Sequence, residues 1–203
     1  MSLLIDSDAF CILAASQLLD DTVRLLGANK SGCARLPALP YMLRKGRLRN
    51  QYGGPTSDNL IPIAESMPAI DQPDSQWLDR LILIQDIDPG EAQLFALAAE
   101  KHFTIITNDK RALRALKDAS GFADALAGRV VVVEAMLIAL CTLLGPAVVN
   151  TRMQSLVSHD TMIRVCFSPS NSDPERALLS YYHSLVTEVN PLTLWHPIER
   201  GVE

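Results

Sequence analysis

Carboxylates in this chain fall where buried-looking runs end. Residues 3–10 read LLIDSDAF, an aliphatic run that meets Asp6, Ser7 and Asp8 before apolar sequence resumes. Farther on, IDPGEAQLFALAAEKH places Glu91 near the start of a helical pattern, and FTIITND ends a second apolar run at Thr107, Asn108 and Asp109. Charges seldom border a core unless something pairs with them. A helix cap, a metal ion and a nucleophilic Asp are the candidates. Three carboxylates brought together repel one another unless a cation intervenes. Oxygen ligands without histidine or thiolate suggest Mg2+ or Mn2+, whose natural chemistry here is cleavage of a phosphodiester. Each acid also has a plain structural role open to it. Asp8 and Asp109 would cap the helices that follow them, and Glu91 suits the positive end of its own helix dipole.

The elements that must position these acids alternate. Leu3–Ile5 reads as a short buried strand, and FCILAASQLLDDTVRLL as a helix ended by Gly27, Asn29 and Gly32. Leu36–Leu43 begins a second helix, NQYGGPTS (50–57) is a loop by composition, and residues 60–75 are ambiguous with their three prolines. Ser75–Ile84 reads as a helix or a helix–strand mixture. Pro89 suits the first turn of the next helix, FTIIT is a strand, KRALRALKDA a helix, GRVVVVE a strand and EAMLIALCTLL a helix. Such alternation predicts an α/β fold with a parallel sheet and helices on both faces. In an open parallel sheet, sites form beyond the C-terminal ends of the strands. Asp6 and Asp109 stand at two such ends. If the two strands are neighbours, Glu91 can join them.

Composition narrows the function classes. At 203 residues, 48% hydrophobic and 20% charged, the chain is long enough for one domain with a sizeable core. Aromatics at 5% argue against a stacking platform for single-stranded nucleic acid. The net charge is −5, yet no Asp or Glu occurs from Thr22 to Thr56, where Arg24, Lys30, Arg35, Arg44, Lys45, Arg47 and Arg49 lie. That basic segment is either a solvated face or a strip that contacts phosphates. Cys11, Cys33, Cys141 and Cys166 form no CxxC pair, which points to a reducing compartment, and the four histidines lack zinc-ligand spacing. No signal peptide is evident. Residues 130–149 are long enough to span a bilayer, but Glu134 and Gly145-Pro146 interrupt them, so a buried strand followed by a core helix fits better.

LLIDSDAFCIL, DPGEAQLFALA and FTIITNDKRAL, in that order and at these separations, resemble the PIN-domain nucleases over roughly Leu3 to Leu144. The resemblance implies a three-layer α/β/α sandwich around a central parallel sheet, as a PIN-like domain over residues 1–145. Residues 146–203 would then form a mostly helical C-terminal extension that packs on the domain or makes an interface, a homo-oligomer included. The implied activity is that of a cytoplasmic Mg2+- or Mn2+-dependent ribonuclease. Its partners would be RNA and, since many bacterial members are toxins, an antitoxin protein. Asp6, Glu91 and Asp109 match the family's first, third and fourth acids and would hold the metal, with Asp8 as a further candidate ligand. Ser7, Thr107 and Asn108 would orient them, and Arg44, Lys45, Arg47 and Arg49 would hold the RNA backbone. The family's second acid, near residue 40, has no counterpart in CARLPALPYMLRKGRLR. That departure supports an alternative, a catalytically degenerate PIN-like module that binds nucleic acid or protein. A haloacid-dehalogenase-like phosphatase is a third reading, because Asp6 and Asp8 have the Asp-x-Asp spacing, although Ala9-Phe10 replaces the usual Gly-Thr.

Overall fold

A computed structural model describes residues 3–197; the ends of both expected regions, 1–2 and 198–203, lie outside the described residues. Four short strands, β1 (Leu3–Ile5), β2 (Cys33–Arg35), β3 (Thr104–Thr107) and β4 (Val130–Val132), form one all-parallel sheet in the order β2-β1-β3-β4. β1, β3 and β4 are buried throughout, as their unalternating aliphatic sequences require of strands covered on both faces. Both edges are closed by irregular chain. Arg35 pairs with Ala69 beside β2, and Val130 with Leu194 beside β4. Each edge strand is thereby covered at one residue.

The expected first helix is broken in two, α1 (Ser7–Ala15) and α2 (Leu19–Leu25), at Gln17 with φ of 58°. Ser16 promotes the break: its hydroxyl donates back to the Ile12 carbonyl at 2.7 Å, competing with the backbone for a helical acceptor. After β2 come α3 (Leu39–Lys45), α4 (Arg47–Tyr52) and α5 (Gly54–Ser66). Residues 50–57 are therefore largely helical rather than a loop. The turn shrinks to Gly53, whose φ of 80° suits a residue without Cβ, while Pro55 sits in the first turn of α5, where no N–H is needed. α6 is a single turn (Ser75–Leu78), and turns fill the chain from there to α7 (Pro89–Lys101). α8 (Lys110–Leu116) and α9 (Phe122–Ala125) connect β3 to β4.

The fourth valine of GRVVVVE leaves the strand and opens α10 (Val133–Leu144), followed by α11 (Pro146–Met153), α12 (Thr161–Phe167) and α13 (Pro174–Val189). Residues 130–149 are thus shared among β4, α10 and α11. Among the described residues no helix is long and apolar enough to cross a membrane. α7 packs against α6 and α9, α10 against α2, and α13 lies across α10 and touches α8. Buried side chains from the C-terminal helices, Met153, Ile163, Phe167, Leu178 and Val189 among them, join the same core as the sheet.

Candidate functional site

β1 is the pivot of the sheet. From it the chain runs to β2 on one side, and β3 and β4 lie on the other. Ligands of open parallel sheets bind where the strand order reverses, beyond the carboxyl ends of the strands. Asp6 follows β1, Asn108 and Asp109 follow β3, and β1 and β3 are direct neighbours in register, Ile5 opposite Ile106. Between them opens a cleft of about 540 Å³ lined by Asp6, Ser7, Asp8, Arg47, Asp88, Glu91 and Asp109, with Leu36, Pro37, Met42 and Leu94 as an apolar wall.

Asp6, not Asp8, caps α1. Its Oδ1 accepts from the amides of Asp8 at 2.6 Å and Ala9 at 3.0 Å, and its Oδ2 from the amide of Asn108 at 2.7 Å. The carboxylate is 7% exposed. Burial pushes its pKa up, and the charge of Asp8 adds to this; the Thr107 hydroxyl and the Ala9 and Asn108 amides pull it down but do not cancel the rise. Asp8 sits in the first turn of α1, where its Oδ2 accepts from both Nη1 and Nη2 of Arg47 at 3.0 Å. Its Oδ1 is buried and unpartnered, as is the Ser7 hydroxyl.

Glu91 and Asp109 form the second half of the site. Asp88 and Glu91 make a reciprocal capping box on α7: the Glu91 amide donates to Asp88 Oδ1 at 2.8 Å, and the Asp88 amide to Glu91 Oε2 at 2.7 Å. Asp109 caps α8 by accepting from the Ala112 amide at 2.8 Å, while its own amide donates to Thr107 Oγ1 at 3.1 Å. The two carboxyls touch. Partial burial first, and then its hydrogen bond with Asp109, raise Glu91 to about 8 against the opposing pull of the Asp88 amide. Burial pushes Asp109 up as well, but the hydrogen bond from Glu91, the Ala112 amide and the charge of Arg111 outweigh it and hold Asp109 low. The two groups titrate as a pair, in which Glu91 is shifted toward its protonated form and Asp109 toward its charged form.

The three acids expected to act together therefore line one cleft. Glu91 and Asp109 are in contact, whereas both oxygens of Asp6 are engaged by amides. Among the described residues no three His, Cys, Asp or Glu side chains gather as a metal-holding group. The donors do suit a hard divalent ion. They are carboxylates only, two of them titrate as a pair whose proton a cation would displace, and a buried Asp8 oxygen in the same cleft lacks a partner. Mg2+ commonly takes one or two carboxylates and completes its shell with water and phosphate oxygens.

The basic candidates divide. Arg47 enters the cleft against Asp8, while Arg44 pairs with Glu65 and Arg49 with Asp58 on α5. Lys45 is exposed. Sequence reasoning missed three features. The Asp88 capping box was legible as D-P-G-E. The Lys110–Glu134 ion pair, 2.7 Å long with Glu134 fully buried, joins residues 24 positions apart and left no local signal. Asp160, which contacts Asn108 from the C-terminal helices, carried only the weak signal of an Asp before an apolar helical run. Comparison with family models, curated proteins and solved structures returns no match.

Proposed function

We propose that this chain is a PIN-like, metal-dependent ribonuclease with a three-layer α/β/α architecture, working in the cytoplasm. The observation that carries the reading is the cleft itself: Asp6, Glu91 and Asp109, from three separate segments, line one opening at the reversal point of a parallel sheet. Glu91 and Asp109 are the side chains to hold Mg2+ or Mn2+, with Asp6 and the free Asp8 oxygen facing the same space. Held by these carboxylates, such an ion would supply charge neutralisation at the phosphodiester and activation of a water. The chain's own groups prepare the rest. The amides of Asp8, Ala9 and Asn108 fix the Asp6 carboxylate in one orientation, and Thr107 ties Asp6 to Asp109. Arg47 presents a guanidinium, 56% exposed, at the cleft wall for a phosphate oxygen. The ion pairs of Arg44 and Arg49 are exposed and weak enough to yield to an RNA backbone. Four free, buried thiols agree with a reducing compartment. An antitoxin partner belongs to the same proposal, as a protein that would cover this cleft.

A second reading has a specific observation behind it. The helix that would carry the family's second acid, α3, contributes Met42 to the cleft, and the charged residue that follows it into the lining is Arg47, a cation. A module that keeps the fold and binds RNA without cutting it would look like this. Cleavage of a mixed RNA pool with Mg2+ or Mn2+, beside Mn2+ titration of the same protein, separates the two. The nuclease reading requires both binding and metal-dependent cleavage, and binding of RNA without cleavage under either metal selects the module.

A further inference from the structure

Asn108 is a junction of three parts of the chain. Its backbone amide donates to Asp6 Oδ2 at 2.7 Å. Its side-chain Nδ2 donates to Asp160 Oδ2 at 3.2 Å. Its Oδ1 accepts from Lys110 Nζ at 3.4 Å, and Lys110 in turn pairs with buried Glu134 at the start of α10. Asp160 is itself fixed. Its Oδ1 accepts from the Ile163 amide at 2.9 Å as the N-cap of α12. The residue before it is held as well: His159 Nδ1 lies 2.8 Å from the Gln51 carbonyl, and its ring packs on Tyr52 at a 36° tilt with centroids 5.4 Å apart. The loop that leads into α12 is thereby docked against α4 on one side and the end of β3 on the other.

We propose that Asp160 is a positioning residue of the site: it acts through Asn108 to set the amide that orients Asp6, making the C-terminal helices a working part of the cleft. The importance of the site to catalysis rests on the metal-dependent reading above, but the positioning role does not. An acceptor on Asp160 fixes the Asn108 side chain, and the side chain fixes the peptide whose N–H reaches Asp6. Lys110 alone holds Asn108 from one side through a long, flexible stem. Without Asp160 that 3.4 Å contact is what remains to hold the Asn108 side chain, and the carboxamide can turn.

Asp160→Asn tests this cleanly. Asn caps a helix as well as Asp does, so α12 survives. The Oδ2 acceptor, however, becomes an Nδ2 donor facing the Nδ2 donor of Asn108. The exchange D160N/N108D reverses the pair and restores one donor and one acceptor. Asp160→Ser, which caps α12 but is too short to reach Asn108, guards against a peculiarity of D160N. The primary readout is amide hydrogen exchange at residue 108 in the metal-free protein. In D160N and D160S it should quicken roughly tenfold, the scale of one lost hydrogen bond, while exchange in the core strands is unchanged. The double variant should return to the wild-type rate. The second readout is Mn2+ affinity, expected to fall about 10–100-fold in D160N and to recover in the exchange variant, as when a group behind a metal ligand is removed. Unchanged exchange at residue 108 in both single variants overturns the inference. So does a loss that the exchange variant fails to restore. If wild-type protein takes up no Mn2+ but the exchange pattern is as expected, the positioning role stands and the metal reading fails.

Discussion

Replacing Asp6 with Ala and with Asn separates what its carboxylate does for the fold from what it does in the cleft. Ala removes the cap of α1, at a cost of about 1 kcal/mol. It also leaves the part-buried Asn108 amide, just past the end of β3, without an acceptor, which costs roughly 1–3 kcal/mol more. The expected loss is about 2–4 kcal/mol. At roughly 2–4 °C per kcal/mol for a chain of this size, Tm should fall by about 4–16 °C. Asn behaves differently. It keeps an oxygen for the Asp8 and Ala9 amides and turns its nitrogen toward the Asn108 amide, losing one acceptor. Against this, burial has raised the Asp6 pKa, so the charge itself opposes folding at neutral pH. The two effects oppose each other, and D6N should stay within about 1 kcal/mol of wild type on that accounting. Metal-free thermal melts at pH 7 measure all three proteins. A D6A midpoint indistinguishable from that of D6N would refute the three-amide arrangement, because both variants remove the charge and only Asn keeps an oxygen for the amides.

Other outcomes follow from the same geometry. Glu91 has its folded pKa raised to about 8, so its contribution to stability is complete below about 4.5 and is lost as pH climbs through 8; Asp109 is held low, so its contribution is present above about 4 and lost as pH falls through its folded value. Metal-free melts should therefore decline from pH 6 to pH 9, and E91Q should flatten that decline; an equal slope in the variant sinks the paired titration. Because a cation must displace that proton, 5 mM Mg2+, a concentration on the order of ordinary assay levels, should raise Tm more at pH 8.5 than at pH 5.5. Removing one partner of the Lys110–Glu134 pair with Lys110→Met should destabilise by about 3–5 kcal/mol in urea unfolding, and adding Glu134→Leu should recover most of it. Arg47→Ala should weaken binding of all RNA sequences alike and reduce the log–log salt slope by about one, whereas an unchanged slope would leave Arg47 as a partner of Asp8 only.

The parts of this fold that were legible in the sequence are those fixed by local pattern. LLI, TIIT and VVV are aliphatic or β-branched without alternation, and each became a buried parallel strand. D-P-G-E announced the start of α7, and the acids at strand ends announced the cleft. Residues 50–57 misled because Gly, Pro and Ser are read as a loop, yet here one glycine makes the turn and the proline starts a helix. Gln17 misled in the opposite way, since nothing in its residue type signals a left-handed backbone. The cap of α1 fell on Asp6 rather than Asp8 because the helix opens at Ser7, ahead of the Phe10 at which the apolar pattern begins. What joins Asp160 to Asn108, Arg47 to Asp8 and Glu134 to Lys110 is tertiary packing across 52, 39 and 24 positions. No window of sequence carries such contacts.

The account's central claim is that the acids of this cleft cut RNA with a divalent cation. Asp109→Asn is the decisive variant, since Asn retains the cap of α8 while removing the charge that the Glu91 proton satisfies. Wild-type protein and D109N, matched by metal-free Tm, are incubated with a mixed RNA pool in Mg2+, Mn2+ or chelator. The expected result is cleavage by wild type in at least one metal, none in chelator, and a rate lowered about 100-fold or more in D109N. Cleavage undiminished in D109N, or absent from wild type under both metals, contradicts the claim.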